Sequence, residues 1–149
     1  MATVTVRPVE VGDHAEWELL FIGYGQFYSS PTEGAVAARV WSWLLDPGHE
    51  TEGFVAVDDR GRLLGLAHVR EFARPLAGAR GLYLDDLFVA PHARGAGVAT
   101  SLLNELKSLA ADRGLDVVRW ITASSNDTAQ RVYDKLADKT AFVTYNITV

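Results

Sequence analysis

The stretch APHARGAGVATSLLNEL, Ala90 to Leu106, joins a strand-like apolar run to a helix-like one through two glycines spaced two apart. From Val98 the apolar residues fall at Val98, Ala99, Leu102, Leu103, Leu106, Leu109 and Ala110, a sustained helical stripe. A helix begins with four N–H groups that have no intrahelical partner. Ser, Thr, Asp or Asn commonly covers one, or acids fill the first turn. Here the opening reads RGAGVA, with neither cap nor acid. Its amides are left for an outside acceptor, and an anion suits them best. Gly95 and Gly97 permit positive φ and close approach, and Arg94 adds a fixed forked cation. A hydrogen bond to a charged group contributes roughly 1.5–3 kcal/mol. Two or three outweigh the repulsion from a net charge of −5, which salt screens over about 8 Å. A Gly-x-Gly turn also serves a strand–helix connection that binds nothing. A Walker loop is excluded because no Gly-Lys-Ser/Thr follows, and a dinucleotide fingerprint needs a third glycine where Thr100 stands.

Around this turn the chain reads as one domain over residues 1–149. Thr3 to Val9 alternates like an edge strand. A helix capped by Asp13 reaches about Tyr28, with Trp17, Leu20, Phe21 and Tyr24 on one face. A second helix carries Val36, Val40, Trp43 and Leu44 and ends near Asp46. A hairpin follows, turning at Asp59-Arg60-Gly61. LYLDDLFVA is a strand, Val98 to Arg113 a helix closed by Gly114, LDVVRWITA a strand, Asn126 to Ala137 a helix, and KTAFVTYNITV a last strand. This order predicts an α/β (α+β) architecture. Its mixed, mostly antiparallel sheet has about six or seven strands, with about four helices on both faces.

Composition excludes several classes. With no cysteine, disulfides, thiolate nucleophiles and zinc–thiolate sites are ruled out. His14, His49 and His68 show no metal spacing, so no metal is expected. The acidic balance argues against nucleic acid, and no apolar run approaches the ~20 residues of a membrane helix. With no signal-like apolar stretch near the start, a cytoplasmic location is expected.

Asp85 and Asp86 interrupt the most apolar strand. Strict alternation puts Asp86 with Leu84 and Phe88, and Asp85 with Tyr83 and Leu87, so one carboxylate is misplaced on either face. A bulge resolves the conflict and aims a carboxylate into a cleft. Alternatively a carboxylate there holds water or pairs with Arg119. Asn126 is a plausible N-cap, and Tyr133 lies on a helix face with Ala129, Val132 and Leu136.

Asp86-Leu87-Phe88-Val89 followed by Arg94-Gly95-Ala96-Gly97-Val98-Ala99 resembles the acetyl-CoA signature of GNAT-type N-acetyltransferases, Arg/Gln-x-x-Gly-x-Gly/Ala. NDTAQRVYDKLADKTAF resembles the second signature of that family, and the order of elements matches over essentially the whole chain. Ala99 and Ala141 stand where the family often has glycine. YGQFY and the Trp-rich second helix are similar to the histone, polyamine and amino-acid acetyltransferase branch. The resemblance implies acetyl-CoA as cofactor, its pyrophosphate cradled by residues Arg94 to Ala99. Its pantetheine arm would pair with Leu87, Phe88 and Val89 and contact Asn126. It also implies Tyr133 as general acid for the thiolate, and a pocket lined by Tyr24, Tyr28 and Trp43, with Glu33 and Trp41 nearby. Asp86, with Asp85 second, is the candidate base or amine-binding group. The expected activity is direct acetyl transfer to a small primary amine or a peptide amine, with a homodimer by analogy. A non-catalytic acyl-CoA-binding module and a different nucleotide-binding domain are the rivals.

Overall fold

The computed structural model describes residues 3–149; residues 1 and 2, included in the expected domain, lie outside it. Five strands form one sheet in sequence order: β1 (Thr5–Pro8), β2 (Glu52–Val57), β3 (Leu63–Arg74), β4 (Ala79–Val89) and β5 (Val118–Arg119). The first four run antiparallel, and β5 runs parallel to β4. Four helices accompany them: α1 (His14–Phe27), α2 (Ala35–Leu45), α3 (Val98–Asp112) and α4 (Asp127–Tyr133).

The helices cover opposite faces, as the alternation of strand side chains shows. On β3, His68 meets Trp17 and Phe21 of α1, whereas Gly65 lies against Val98 and Leu102 of α3. Positions three apart on a strand point to opposite faces. Each central strand is therefore covered twice, and Val55, Ala56, Leu66, Ala67, Val69 and Leu82 are buried. Fully burying a Val or Leu contributes roughly 1.5–3 kcal/mol, so this double layer dominates the stability.

Several expectations are corrected. Asp13 stands at the start of α1, but its carboxylate makes no cap bond. It accepts two hydrogen bonds from Arg7, at 2.7 and 3.0 Å, and one from the Glu10 amide. Those donors hold its acid well below the ordinary carboxylate range. On α2 the buried tryptophan is Trp41, not Trp43, and Val36 is exposed. Trp41 is drawn inward by stacking on His14 at 4.6 Å and by Trp17 at 5.0 Å. α4 ends at Tyr133, and hydrogen-bonded turns carry the chain on to Ala137. The strand expected over KTAFVTYNITV is not formed. Phe142, Val143, Tyr145 and Ile147 stand exposed, leaving five strands where six or seven were expected.

Candidate active site

The β3–β4 register shifts between His68 and Val69. His68 pairs with Asp86 and Val69 with Leu84, so Asp85 is the extra residue of a β-bulge. Adjacent β3 positions face opposite ways, so the bulge flips the alternation of β4. Leu82 and Leu84 serve one face, while Asp86 and Phe88 serve the other, under α1. The misplaced carboxylate of the sequence is accommodated in this way.

His68 and Arg70 lie two apart on β3, on one face, and each holds one carboxylate. Asp86 Oδ2 lies 2.8 Å from His68 Nδ1, and Arg70 Nε donates to Asp85 Oδ2 at 2.9 Å. Arg70, not Arg119, is therefore the cation beside the pair; Arg119 rests over Phe72. Trp17 Nε1–H donates to His68 Nε2 at 3.0 Å. An indole nitrogen can only donate, so Nε2 accepts and the ring hydrogen sits on Nδ1, directed at Asp86. His68 is almost wholly buried, and Asp86 is part-exposed. The chain Trp17–His68–Asp86 runs from the core to the open end of the site.

One tyrosine, Tyr24, reaches this carboxylate, with Tyr28 and Tyr133 near it. Burial pushes the Tyr24 hydroxyl far above the ordinary phenol range, and the charge of Asp86 and hydrogen bonding to it push further; Tyr28 and Tyr133 add to the shift. Burial also raises Tyr133, with Tyr28 contributing. Tyr24 packs edge-on to Tyr28 at 5.1 Å and to Phe88 at 5.9 Å. Tyr133 packs edge-on to Trp120 at 5.3 Å. Asp86, Tyr24 and Tyr28, read separately in the sequence, are thus brought together, with Tyr133 near enough to affect the Tyr24 hydroxyl. Trp43 does not join it; it stacks on His49 at 4.8 Å. Nor do Glu52 and Glu71 stand free to attract a cation, since both are bound by Arg113.

Pairing between β4 and β5 covers only Leu82 with Val118 and Tyr83 with Arg119. Past Tyr83, the outer edge of β4 through Leu87, Phe88 and Val89 has no strand partner among the described residues. This unpaired edge leads to the glycine turn. Gly95 and Gly97 have φ of 81° and 80°, the left-handed region that strains any other residue. The Arg94 amide donates to Pro91 O at 3.4 Å, which removes it from the expected cradle. Its guanidinium donates to Val89 O at 3.2 Å. The amides of residues 95–100 donate to no acceptor among the described residues, and the first helical bond is Ser101 N–H to Gly97 O. No atom lies within 4 Å of a Cβ built on either glycine. A row of bare donors at the mouth of a 15-residue helix fits a diphosphate. Asn126 caps α4, its Oδ1 accepting from the Ala129 amide at 3.2 Å. The Thr122 hydroxyl, past β5, is buried without a partner.

His68, Trp17 and Thr122 were not read as functional residues from the sequence. For His68 a signal existed: one histidine on an otherwise apolar central strand has to find a partner. Thr122 left none.

A sheet split beside a bulged strand, with bare amides at the split, is an arrangement able to hold a phosphorylated group next to a carboxylate. Residues 12–137 match the model of the acetyltransferase (GNAT) family, and the chain belongs to that family. It is 30% identical over 143 residues to the D-amino-acid N-acetyltransferase of Saccharomyces cerevisiae, covering 95% of this chain and 89% of that one. It is 29% identical over 148 residues to an uncharacterized N-acetyltransferase of Bacillus subtilis, covering 98% of both. Among solved structures, the ribosomal-protein-alanine N-acetyltransferase of Brucella melitensis shares the fold. Its TM-score is 0.84 at 22% identity, over 99% of this chain and 100% of that one. Among the described residues, no helix is long and apolar enough to cross a membrane.

Proposed function

We propose that this chain transfers an acetyl group from acetyl-CoA to a small primary amine by direct attack, with both substrates bound together. The observation that carries the reading is Asp86, held by His68 under α1, standing beside the unpaired edge of β4 that leads to the bare amides of the glycine turn. Family membership supports the acetyl transfer, and the amino-acid acetyltransferase among the relatives supports a compact amine acceptor.

The chemistry makes three demands. An alkylammonium of pKa ~10.4 costs roughly 4.6 kcal/mol to deprotonate at pH 7, at about 1.36 kcal/mol per unit. Asp86 accepts that proton, directly or through water, while its Oδ2 is held by His68 Nδ1–H. Next, the reacting carbonyl must be fixed. The unpaired β4 edge at Leu87, Phe88 and Val89 offers main-chain partners to the pantetheine arm, and the amides of residues 95–99 anchor its diphosphate. Thr122, whose hydroxyl is unpartnered, and Asn126, at the start of α4, offer further polar groups. Finally, a thiolate must leave. Tyr133, a phenol and so protonated at neutral pH, would donate a hydrogen bond or its proton to the departing sulfur; burial, which raises its pKa, keeps it neutral. Acetyl-CoA supplies the activated acyl group; with no cysteine in the chain, no enzyme thioester intervenes. Asp85, neutralised by Arg70, stands second to Asp86 as base. Tyr24 and Tyr28 form the acceptor wall.

Coenzyme A release, read with a thiol reagent, tests this. The protein adds no thiol background. The panel holds D- and L-amino acids, polyamines, aminoglycosides and histone-like peptides. Saturable release with at least one amine is expected. Tight acetyl-CoA binding with no release across the panel would make the chain a non-catalytic acyl-CoA-binding module.

A further inference from the structure

β3 and β4 run on past the end of β2. Glu52, the first residue of β2, pairs with Val69, and from Arg70 to Arg74 the strand pairs with β4 alone. Alternation puts Arg70 and Phe72 on the face of His68, the face under α1. Tyr83 lies opposite Arg70, and Arg119 lies opposite Tyr83. An Arg–Tyr–Arg row therefore crosses three strands on that face, and none of the three side chains is buried. With strands about 4.8 Å apart, the two arginines stand roughly 10 Å from each other.

Both guanidiniums are held by rings. Arg70 lies over Tyr83 at 4.7 Å and Arg119 over Phe72 at 5.5 Å, and the two rings meet edge-on at 5.7 Å. Such stacking orders a long side chain before any ligand arrives. Arg70 commits its Nε to Asp85 at 2.9 Å. Its two terminal nitrogens, and all three nitrogens of Arg119, donate to no acceptor among the described residues. Ordered forked donors without a partner suit a carboxylate.

The row starts beside the proposed base. Arg70 is two residues along β3 from His68, which holds Asp86, a separation of about 7 Å. One open face thus carries an anion and then two cations within the reach of a small molecule. That is the complement of a zwitterion: ammonium at Asp86, carboxylate at the arginines. A net charge of −5 would draw a polyamine, but that field is screened over about 8 Å. At contact distance the second ammonium of a polyamine would meet guanidiniums. We propose that Arg70 and Arg119 select the acceptor by its carboxylate, so that the acceptor is a carboxylate-bearing amine of amino-acid size and not a polyamine or an aminoglycoside. This rests on the acetyl-transfer reading and assigns that site its specificity.

Coenzyme A release tests it on the full chain. Leucine, phenylalanine and glutamate of both hands are each compared with their α-carboxamides, and spermidine is run beside them. Amidation removes the negative charge with little change of shape. It also removes the carboxylate that stabilises the ammonium, so the amide's amine deprotonates more readily. A preference for the acid therefore cannot come from the amine. At least one acid should exceed its carboxamide about 10-fold or more in kcat/KM. Arg119→Gln and Arg70→Gln should each cut kcat/KM for that acid about 10-fold, and cut it far less for the carboxamide. KM for acetyl-CoA and the circular dichroism should hold, and Arg119→Lys should retain part of the preference. Acids and carboxamides used alike, or spermidine preferred, overturn the selection and leave acetyl transfer standing. Equal losses on acid and carboxamide in both variants overturn it too, by making the arginines structural. Release with no amine at all would bring down the acetyl-transfer reading and this inference with it.

Discussion

His68 separates two jobs that one substitution each can isolate. Its Nδ1–H holds Asp86, and its Nε2 accepts from Trp17. Asparagine places an amide near the Nδ1 position, so His68→Asn keeps a donor for Asp86 and abandons the indole. Glutamine reaches the Nε2 position, so His68→Gln keeps an acceptor for Trp17 and abandons the carboxylate. A buried N–H left without a partner costs about 1–3 kcal/mol. Trp17 is wholly buried, so His68→Asn should lose stability in that range, read as a lowered urea midpoint. A hydrogen bond to a charged group contributes about 1.5–3 kcal/mol. Asp86 is part-exposed, so water recovers some of it. The surviving penalty, on the order of 1.4–2.5 kcal/mol, corresponds to roughly 10- to 70-fold in turnover. His68→Gln should therefore fold with a near-native midpoint and lose kcat, with KM for acetyl-CoA little changed and the acid limb of its pH–rate profile displaced. The assay is steady-state coenzyme A release from pH 5.5 to 9. A His68→Gln enzyme with native kcat and an unmoved pH profile would show that the histidine only fills the core.

Tyr133→Phe should lower kcat at least ~10-fold with acetyl-CoA affinity retained, checked by steady-state kinetics and calorimetry; an unchanged rate removes Tyr133 from the mechanism. Gly97→Ala forces a residue with a Cβ to φ near 80°, at about 1–2 kcal/mol. A lower Tm and weaker acetyl-CoA binding are expected, the second measured by titration. The raised Tyr24 and Tyr133 favour the neutral phenol in the folded state. Their contribution is therefore intact below the unfolded value near 10 and is lost as pH climbs through the folded values. Absorbance at 295 nm should show two of the five tyrosines ionising late, and Tyr24→Phe should remove one of them.

The features legible in the sequence were local ones. Glycines at positions 95 and 97 demand positive φ from nearest-neighbour sterics alone. The α3 stripe repeats over four turns, and Asp85-Asp86 in an apolar strand announces a bulge without any knowledge of partners. What stayed hidden depended on contacts between elements. Trp41 and Trp43 lie two apart on one helix, and only the packing of His14 and Trp17 decides which goes inside. Arg70 was not distinguishable from Arg119 as the partner of Asp85 until the β3–β4 register was known. The last segment has a strand's composition and alternation, but a strand also needs an edge to pair with, and sequence pattern carries no information about that edge.

The bulge at Asp85 accounts for more of the site than the direction of one carboxylate. A bulge adds local twist and bends its strand. Pairing of β4 with β5 stops at Tyr83, two residues before the extra residue. The same insertion that brings Asp86 under α1 thus turns β4 away from β5 and frees the edge at Leu87, Phe88 and Val89. The proposed base and the proposed co-substrate edge are therefore coupled by one backbone irregularity. Removing Asp85 from the chain should do more than delete a charge. The register would become continuous with Asp86 still opposite His68 on the α1 face, while the bend would be lost and the split beside β4 would tend to close. Replacing Asp85 with Asn keeps the bulge and tests the charge alone, so the two variants separate geometry from electrostatics at a single position.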